Sequence, residues 1–328
     1  MKILFRKLRG RNVGISECWA RHSIIPSFHY SILIILAIGV LLLPLNSFSA
    51  ETLKLKHVQS IYSDEKGGNI KQPEGVACSE KSILVVGDTG NDRLLQFSYE
   101  NRNLKAGGEI KIPQLSNPIR VQLNSKGEVF ALDGMKRRIL RLAPGGEFKD
   151  YLEPGGMPPP SVFVPRSFKI DTNDLIYILD IFGGRVIVLN PDGKFQKQIP
   201  FPPSYGFFSD LAVDSRGNIL LVDSIKAMIF LAARGSSSFS PLTKSLRENL
   251  DFPTSITTDK KGTIYVVDED GSGIVILGQD GSFLGRQLSM GWNEGLLYHP
   301  NQICLNEKGE VFIADRGNSR VQIFSIVK

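Results

Sequence analysis

An aspartate recurs six times along this chain, at intervals of 43 to 47 residues and each time at the end of a short aliphatic run. The six are Asp88, Asp133, Asp180, Asp223, Asp268 and Asp315. Nine residues before each stands a Ser, Asn or Asp, whose side-chain oxygen can open a turn. Five residues after it stands an arginine in four of the six copies. Copies in phase at such a period predict a propeller or a similar closed array.

Each copy contains the signals for four short strands. The first strand begins at a proline in five copies and at Ser209 or its neighbour in the fourth; the prolines are Pro73, Pro118, Pro165, Pro253 and Pro300. A polar turn follows, then the aliphatic strand into the aspartate, a third strand and, after a second turn, a fourth. Six such copies predict an all-β domain, a six-bladed β-propeller, at residues 51–328.

The sixth copy has three strands before Lys328. Its missing strand has a candidate ahead of the first copy, where residues 53–62 begin with alternating apolar and charged side chains. We expect this N-terminal strand to complete the sixth blade and close the ring, because an unpaired edge strand invites aggregation.

Residues 1–50 form a leader with the order basic, apolar, small. The basic part carries six Lys or Arg against one Glu, and residues 32–45 are then apolar apart from Gly39 and Pro44. This order is typical of a secretory signal peptide, and the long basic region equally suits an uncleaved membrane anchor at residues 24–45. We expect an exported propeller on the periplasmic or extracellular side, with its leader either cleaved or held in the inner membrane.

The net charge of +6 resides mostly in the leader. Residues 51–328 carry 33 basic and 32 acidic side chains, a surplus of one. A nearly neutral body lacks the electrostatic attraction for phosphates on which nucleic-acid binding depends, so the sequence indicates no nucleic-acid partner.

The last copy carries the most complete motif, which consists of Asp315 followed by Asn318-Ser319-Arg320-Val321-Gln322-Ile323-Phe324. This motif resembles the NHL-repeat family of six-bladed propellers. The first copy, with Asp88 and Arg93, is nearly as similar, whereas copies four and five have Met228 and Gly273 at the arginine position. The resemblance covers about residues 51–328 and implies the fold more than an activity, because the family includes scaffolds, receptors and a few lyases.

Repetition indicates that the aspartate and arginine columns are architectural. An active site needs one copy of its residues, whereas these occur in blade after blade. We expect each aspartate to accept hydrogen bonds from backbone NH groups of its own turn, and the arginine to pair with it across the hairpin.

The residues at the start of each first strand vary between copies, unlike the repeated columns. These strands line the central channel of a propeller, and the positions just after the proline include Glu74, Arg120, Arg166, Asp210 and Asn301. Varied polar side chains around a channel mouth are typical of a ligand-binding site. A water-filled channel lined by solvated groups would give the same pattern, and the sequence supports both interpretations.

Three of those side chains, Glu74, Asp210 and Asn301, offer the oxygen ligands that Ca²⁺ takes. They resemble in type the Glu, Asn and Asp sets of lactonase-like six-bladed propellers. Arg120 and Arg166 would stand near such an ion and oppose it. A three-histidine zinc site, as in the amidating-lyase propellers of the family, lacks its residues, since the propeller contains two histidines.

Long loops rich in aromatic residues and proline lie on the same side as the channel mouth, at residues 158–163, 201–208 and 291–298. Aromatic rings held on such loops suit recognition of a protein, a peptide or a glycan. We expect Trp292 to contact a partner, and Phe207 and Phe208 to pack onto the blades.

These features favour an exported or membrane-anchored binding or scaffold module, without a cofactor, that holds a protein, peptide or glycan on its loops. The alternative is a metal-dependent, lactonase- or lyase-like enzyme with its site at the channel mouth. No GxSxG, P-loop, HExxH or dinucleotide-binding motif is present.

Cys78 and Cys304 fall in the first strands of copies one and six, which become neighbours when the ring closes. A disulfide needs Cα atoms within about 7 Å, whereas sheets packed face to face stand about 10 Å apart. We therefore expect two buried thiols rather than a bond. The sequence has no CxxC or similar metal-ligand spacing, so structural zinc has no support.

Overall fold

The computed structural model describes residues 53–327 of the chain. These residues form 24 β-strands and two short 3₁₀-helices, Thr89–Asn91 and Arg316–Asn318. The strands make six four-stranded antiparallel sheets. The first strand of each sheet contacts the first strand of the next, and the sixth contacts the first, so the sheets form a closed ring. The fold is the six-bladed β-propeller that the sequence predicts.

Each blade has four strands, which follow one another from the axis outwards. Blades one to three consist of β2 (Gly75–Cys78), β3 (Ile83–Asp88), β4 (Arg93–Glu100) and β5 (Asn103–Ile110); β6 (Pro118–Leu123), β7 (Val129–Asp133), β8 (Arg138–Leu142) and β9 (Phe148–Tyr151); β10 (Pro165–Ile170), β11 (Ile176–Asp180), β12 (Arg185–Leu189) and β13 (Phe195–Pro200). Blades four to six consist of β14 (Phe208–Val213), β15 (Ile219–Asp223), β16 (Met228–Ala232) and β17 (Ser240–Pro241); β18 (Pro253–Thr258), β19 (Ile264–Asp268), β20 (Gly273–Leu277) and β21 (Phe283–Gln287); β22 (Pro300–Leu305), β23 (Glu310–Asp315), β24 (Arg320–Val327) and β1 (Lys54–Ile61).

The alternating strand directions give the propeller two distinct faces. Every innermost strand starts on the face that we call the loop face, which also carries the turn after each repeated aspartate and the loops between blades. The opposite face, which we call the turn face, carries the turns between the first and second strands and between the third and fourth strands.

β1 closes the ring, as the sequence predicts. It runs antiparallel to β24, with Lys54 opposite Val327 and Ile61 opposite Val321, and gives blade six its fourth strand. Leu55 and Ile61 are only 8% and 3% exposed. β24 therefore has a hydrogen-bonded neighbour on both sides instead of an open edge.

Packing between neighbouring blades forms the core. The second and third strands lie between two other sheets, and β11, β12, β19 and β20 are buried along their whole length. Burial on both sides explains why these segments are nearly continuous aliphatic runs rather than alternating ones.

The six repeated aspartates are architectural, as predicted, and all six are fully buried. Each carboxylate accepts a hydrogen bond from the loop that leads into the first strand of its own blade, the donors being the backbone NH groups of Lys71, Ser116, Val164, Gly206, Phe252 and Tyr298. The predicted hydrogen bonds from the backbone of the aspartate's own turn occur in blades two, three and four only; Asp180, for example, accepts from Phe182 and Gly183. The aspartates thus fix the loops of the loop face.

The arginine five residues later pairs with the aspartate in three of the four blades that have it. Its Nε lies 2.6 to 2.9 Å from a carboxylate oxygen in the pairs Arg93 with Asp88, Arg185 with Asp180 and Arg320 with Asp315. In blade two, Arg138 instead contacts the exposed Glu153. Asp133 instead accepts hydrogen bonds from Ser116, Met135 and Lys136.

Blade five supplies its arginine from another strand. Gly273 occupies the arginine position, and Arg286 of β21 donates from Nη1 to Asp268 at 2.7 Å. A Cβ atom on Gly273 would lie only 2.8 Å from Nη2 of Arg286. The glycine therefore leaves the space that the relocated guanidinium fills.

Cys78 and Cys304 form a disulfide, so the expectation of two free thiols is wrong. Their Cα atoms lie 5.9 Å apart, within bonding range. The innermost strands β2 and β22 converge towards the axis, which brings them closer than the spacing of sheets stacked face to face. The bond therefore links blade one to blade six.

Within residues 53–327, no helix is long and apolar enough to cross a membrane. The predicted signal peptide or anchor, including residues 24–45, lies outside the described residues.

Candidate functional site

Side chains cross the central channel near its mouth on the loop face. Arg120 of blade two donates to the side-chain oxygen of Asn301 in blade six and, at 3.1 Å, to the carbonyl oxygen of Thr254 in blade five. Blades two and five stand opposite each other in the ring, so this contact spans the axis. Gln302 makes a second crossing, accepting from backbone NH groups in blades one and two at 3.1 and 3.3 Å.

Asp210 of blade four connects its two neighbouring blades, three and five. Its carboxylate accepts from the hydroxyls of Ser167 in blade three, at 2.5 Å, and Ser255 in blade five, at 2.7 Å. It also accepts from the NH of Ile256 at 3.1 Å. Arg120, Asp210 and Asn301 are therefore buried and bonded within the protein, and their hydrogen bonds tie the blades together at the axis.

Glu74 belongs to a separate group of charged residues on the loop face. One of its oxygens lies 3.3 Å from Nε of Arg316, whose Nη1 lies 3.3 Å from Glu269. Burial raises the pKa of Glu269, and the adjacent Arg316 opposes that rise. The two carboxylates share this one guanidinium.

The three oxygen ligands that the sequence suggests for Ca²⁺ are each engaged by a protein donor. Glu74 is beside Arg316, Asp210 holds two serine hydroxyls, and the side-chain oxygen of Asn301 accepts from Arg120. Within residues 53–327, no three His, Cys, Asp or Glu side chains are grouped closely enough to hold a metal ion.

Arg166 differs from Arg120 and Arg316 because its guanidinium makes no hydrogen bond or ion pair within residues 53–327, although all three have a buried Nε without a hydrogen bond. Its side chain is partly buried, and its Nε is fully buried without a hydrogen-bond acceptor. The guanidinium carbon lies 5.4 Å from the ring centroid of Phe207. Burial, followed by the positive charges of Arg120 and Arg137, lowers the pKa of Arg166. An arginine nevertheless keeps its charge, so the surroundings favour an anion beside it.

The aromatic residues of the interblade loops divide into packed and exposed ones. Phe208 is 1% exposed and stacks on Tyr205, so it belongs to the core as expected. Phe207 is partly buried. Trp292 is 76% exposed, with its ring 6.1 Å from that of Tyr298, and is accessible to a partner.

A row of exposed apolar side chains occupies the loop face of blades two to four. Met135, Phe182 and Ile225 each stand two residues after the repeated aspartate, and they are 74%, 64% and 51% exposed. We call these three residues the apolar arc. They occupy the same turn of three consecutive blades, so they follow one another around the ring.

The apolar arc was not among the predicted site residues, although the sequence contains a signal for it. The position two residues after the aspartate contains, in chain order, Gly90, Met135, Phe182, Ile225, Asp270 and Gly317. Large apolar residues in the exposed turn of three successive copies depart from the polar turn chemistry expected there. Comparison of the positions next to the repeated aspartate, rather than those after the proline alone, would have found them.

Known proteins support the fold and the repeat. Residues 297–324 match the family model described as NHL repeat. The NHL repeat-containing protein 3 of Mus musculus is 28% identical over 142 residues, which are 41% of this chain and 39% of that protein. The chain thus matches well under half the length of this relative.

Two solved propellers share the architecture at low sequence identity. Virginiamycin B lyase from Staphylococcus aureus superposes with a TM-score of 0.57 at 14% identity, covering 84% of this chain and 100% of the lyase. A gluconolactonase from Xanthomonas campestris gives a TM-score of 0.59 at 14% identity, covering 84% of this chain and 89% of the enzyme. Similarity at this level shows the fold alone.

The closed ring and the hydrogen bonds across its axis define a six-bladed β-propeller. The side chains at equivalent positions of its loop face differ from blade to blade. The matched repeat and the mouse relative confirm the resemblance seen in the sequence: residues 297–324 match an NHL repeat, and part of the chain is similar to an NHL repeat-containing protein.

Proposed function

We propose that this protein is an exported binding module that holds a protein partner on its loop face, with the partner's apolar side chains against the apolar arc. The observation that carries the proposal is the exposure of Met135, Phe182 and Ile225 at one turn position of three adjacent blades. Clustered apolar side chains on a soluble fold are characteristic of interaction surfaces.

The fold itself does not require apolar residues at these turns. Blades one and six have Gly90 and Gly317 at the same position, and blade five has the exposed Asp270. A Cβ on Gly317 would meet the backbone oxygen of Tyr298 at 2.5 Å, so blade six has no room for a side chain there. The apolar arc is therefore specific to one half of the loop face, as a docking surface would be.

Arg166 adds a positive charge to the loop face, which favours a partner with an acidic group. It lies at the start of β10 in blade three, the same blade that carries Phe182 at the centre of the apolar arc. A carboxylate from a partner would pair with the accessible part of the Arg166 guanidinium, which makes no ion pair within residues 53–327. The best partner is therefore a protein segment with an acidic group among apolar side chains. Trp292 is a separate exposed aromatic residue, in the loop that leads into blade six.

The channel residues do not favour the enzyme alternative. Arg120, Asp210 and Asn301 use their polar atoms on each other's blades, which stabilises the ring. Arg166, which has no ion-pair partner within residues 53–327, and the exposed side chains of the apolar arc are available on the loop face to bind a partner.

Binding is tested by comparing variants on purified bait. A triple variant with Met135→Asp, Phe182→Asp and Ile225→Asp should lose at least about tenfold of the partner that the wild type enriches from an envelope extract, because charges replace the apolar contacts. The matched control is Phe283→Asp with Leu284→Asp, two exposed residues of β21 at 45% and 42%. Quantitative mass spectrometry measures enrichment, and thermal melting verifies folding of all three proteins. Equal retention by the two variants would contradict the proposal.

Export is supported by two features. The leader has the order of a secretory signal or anchor, and the disulfide between Cys78 and Cys304 is of a kind that persists in oxidising compartments.

A reporter that is active only outside the cytoplasm, fused after Lys328, should be active in the full chain. Removal of residues 1–50 should abolish that activity, because the leader carries the export signal. Activity of a cytoplasm-specific reporter at the same position would overturn the assignment.

A further inference from the structure

The turn face contains an open cavity of about 930 Å³, lined by blades three to six and by Glu80 of blade one. This volume lies within the range of pockets that hold small molecules, about 300 to 1,000 Å³. Its lining includes Lys169, Tyr177, Thr257 and Tyr265 together with aliphatic side chains. The cavity is on the opposite face from the apolar arc, so it calls for a separate explanation.

Lys169 is the unusual residue of this cavity. It lies on the innermost strand β10, directly opposite Tyr177 of β11. The corresponding position in the other blades contains Ala77, Gln122, Ala212, Thr257 and Cys304, so no other blade places a charged residue there. The architecture of the innermost strand therefore does not require a lysine.

Lys169 also lacks a counter-ion. Its side chain is partly buried, and its amine makes no hydrogen bond or ion pair with another residue of the described part of the chain. Asp210 is the acidic group that acts on it, and that carboxylate is already held by Ser167 and Ser255. Another lining acid on the same blade, Asp171, accepts from the Tyr177 hydroxyl at 3.0 Å.

A lysine in such a place is driven towards its neutral form. Burial lowers the pKa of Lys169, and the charge of Asp210 opposes the shift only in part. A neutral amine retains the lone pair that makes lysine a nucleophile.

We propose that Lys169 captures a small aldehyde or ketone in the turn-face cavity as an imine. The amine nitrogen attacks the carbonyl carbon, and a carbon–nitrogen double bond replaces the carbon–oxygen double bond. The two amine hydrogens leave with the carbonyl oxygen as one molecule of water, so no oxidant or reductant is involved. A neutral imine suits a partly buried lysine that makes no ion pair with an acidic residue of the described part of the chain.

Reductive trapping tests the proposal on the wild-type full chain. Benzaldehyde is added at neutral pH with sodium cyanoborohydride, which converts the imine into a stable benzylamine, and peptide mapping locates the modified lysines. Lys197 and Lys261 are internal references, because they line the same cavity but are exposed to solvent. We expect Lys169 to be modified at least about tenfold faster than either reference, since exposed amines are protonated at neutral pH.

The Lys169→Met variant should lose the fast modification while Lys197 and Lys261 react as before. Modification of Lys169 no faster than that of Lys197 and Lys261 would overturn the proposal, because the Lys169 amine would then be either protonated or inaccessible to the aldehyde. This result would leave the proposed role of the loop face untouched, because the two sites lie on opposite faces.

Discussion

Deletion of residues 51–61 from the full chain should lower the free energy of unfolding of the propeller by several kcal/mol, or cause it to aggregate. The deletion removes β1, which is the fourth strand of blade six, together with the buried Leu55 and Ile61. Burial of two such aliphatic side chains contributes about 3 to 6 kcal/mol, and each ladder hydrogen bond adds about 1 kcal/mol. Conformational entropy regained by the freed segment offsets part of this loss. Chemical denaturation, together with light scattering, measures both outcomes.

Point variants separate the packing of β1 from its mere presence. Leu55→Ala should destabilise the propeller by about 2 to 4 kcal/mol. Lys56→Ala is the matched control, because this neighbouring side chain is exposed and its removal should change stability by less than about 0.5 kcal/mol. An unchanged denaturation midpoint after the whole deletion would show that β1 does not close the ring.

Loss of the disulfide should have the second large effect on stability. The bond joins Cys78 to Cys304, which are 226 residues apart in sequence, so it strongly restricts the unfolded chain. Substitution of both cysteines by alanine should lower the free energy of unfolding by about 3 to 5 kcal/mol. The same shift should follow addition of a reductant to the wild type, and should be absent when the reductant is added to the double variant.

Mass spectrometry verifies the bond directly. Protein alkylated without reductant should yield a cross-linked pair of peptides containing Cys78 and Cys304. Cys18→Ser is the control, because Cys18 lies outside the propeller and its loss should leave both the cross-link and the melting midpoint unchanged. Alkylation of Cys78 and Cys304 in untreated protein would refute the bond.

The repeated part of this structure could be predicted from the sequence because repetition multiplies weak signals. One Asp at the end of an aliphatic run says little, whereas six in phase indicated the blade count, the strand order and the structural role of the column. The closing strand followed from counting strands in the sixth copy. The relocated arginine of blade five, Arg286, could not be foreseen, because its position in β21 has no counterpart in the repeat.

The axis of the ring was less predictable because it depends on contacts between blades that are remote in sequence. Arg120 meets Thr254 only because blades two and five face each other across the channel. The disulfide was misjudged for a related reason, since the convergence of innermost strands at the axis is a property of the closed ring. The identities of the residues after the proline could be read from the sequence, whereas the distances between them could not.

The pairing of β1 with β24 also affects how the protein is made. Lys54 and Val327 meet in the final structure although they are synthesised about 270 residues apart, which at about 5 to 20 residues per second separates them by tens of seconds. Blades one to five can assemble as they are completed, whereas blade six requires a segment made first and a segment made last. During that interval β1 is unpaired and must be kept from other exposed strands. A chaperone acting on this protein would therefore have its main task at the first strand to emerge, and release of that strand would be the last step of folding.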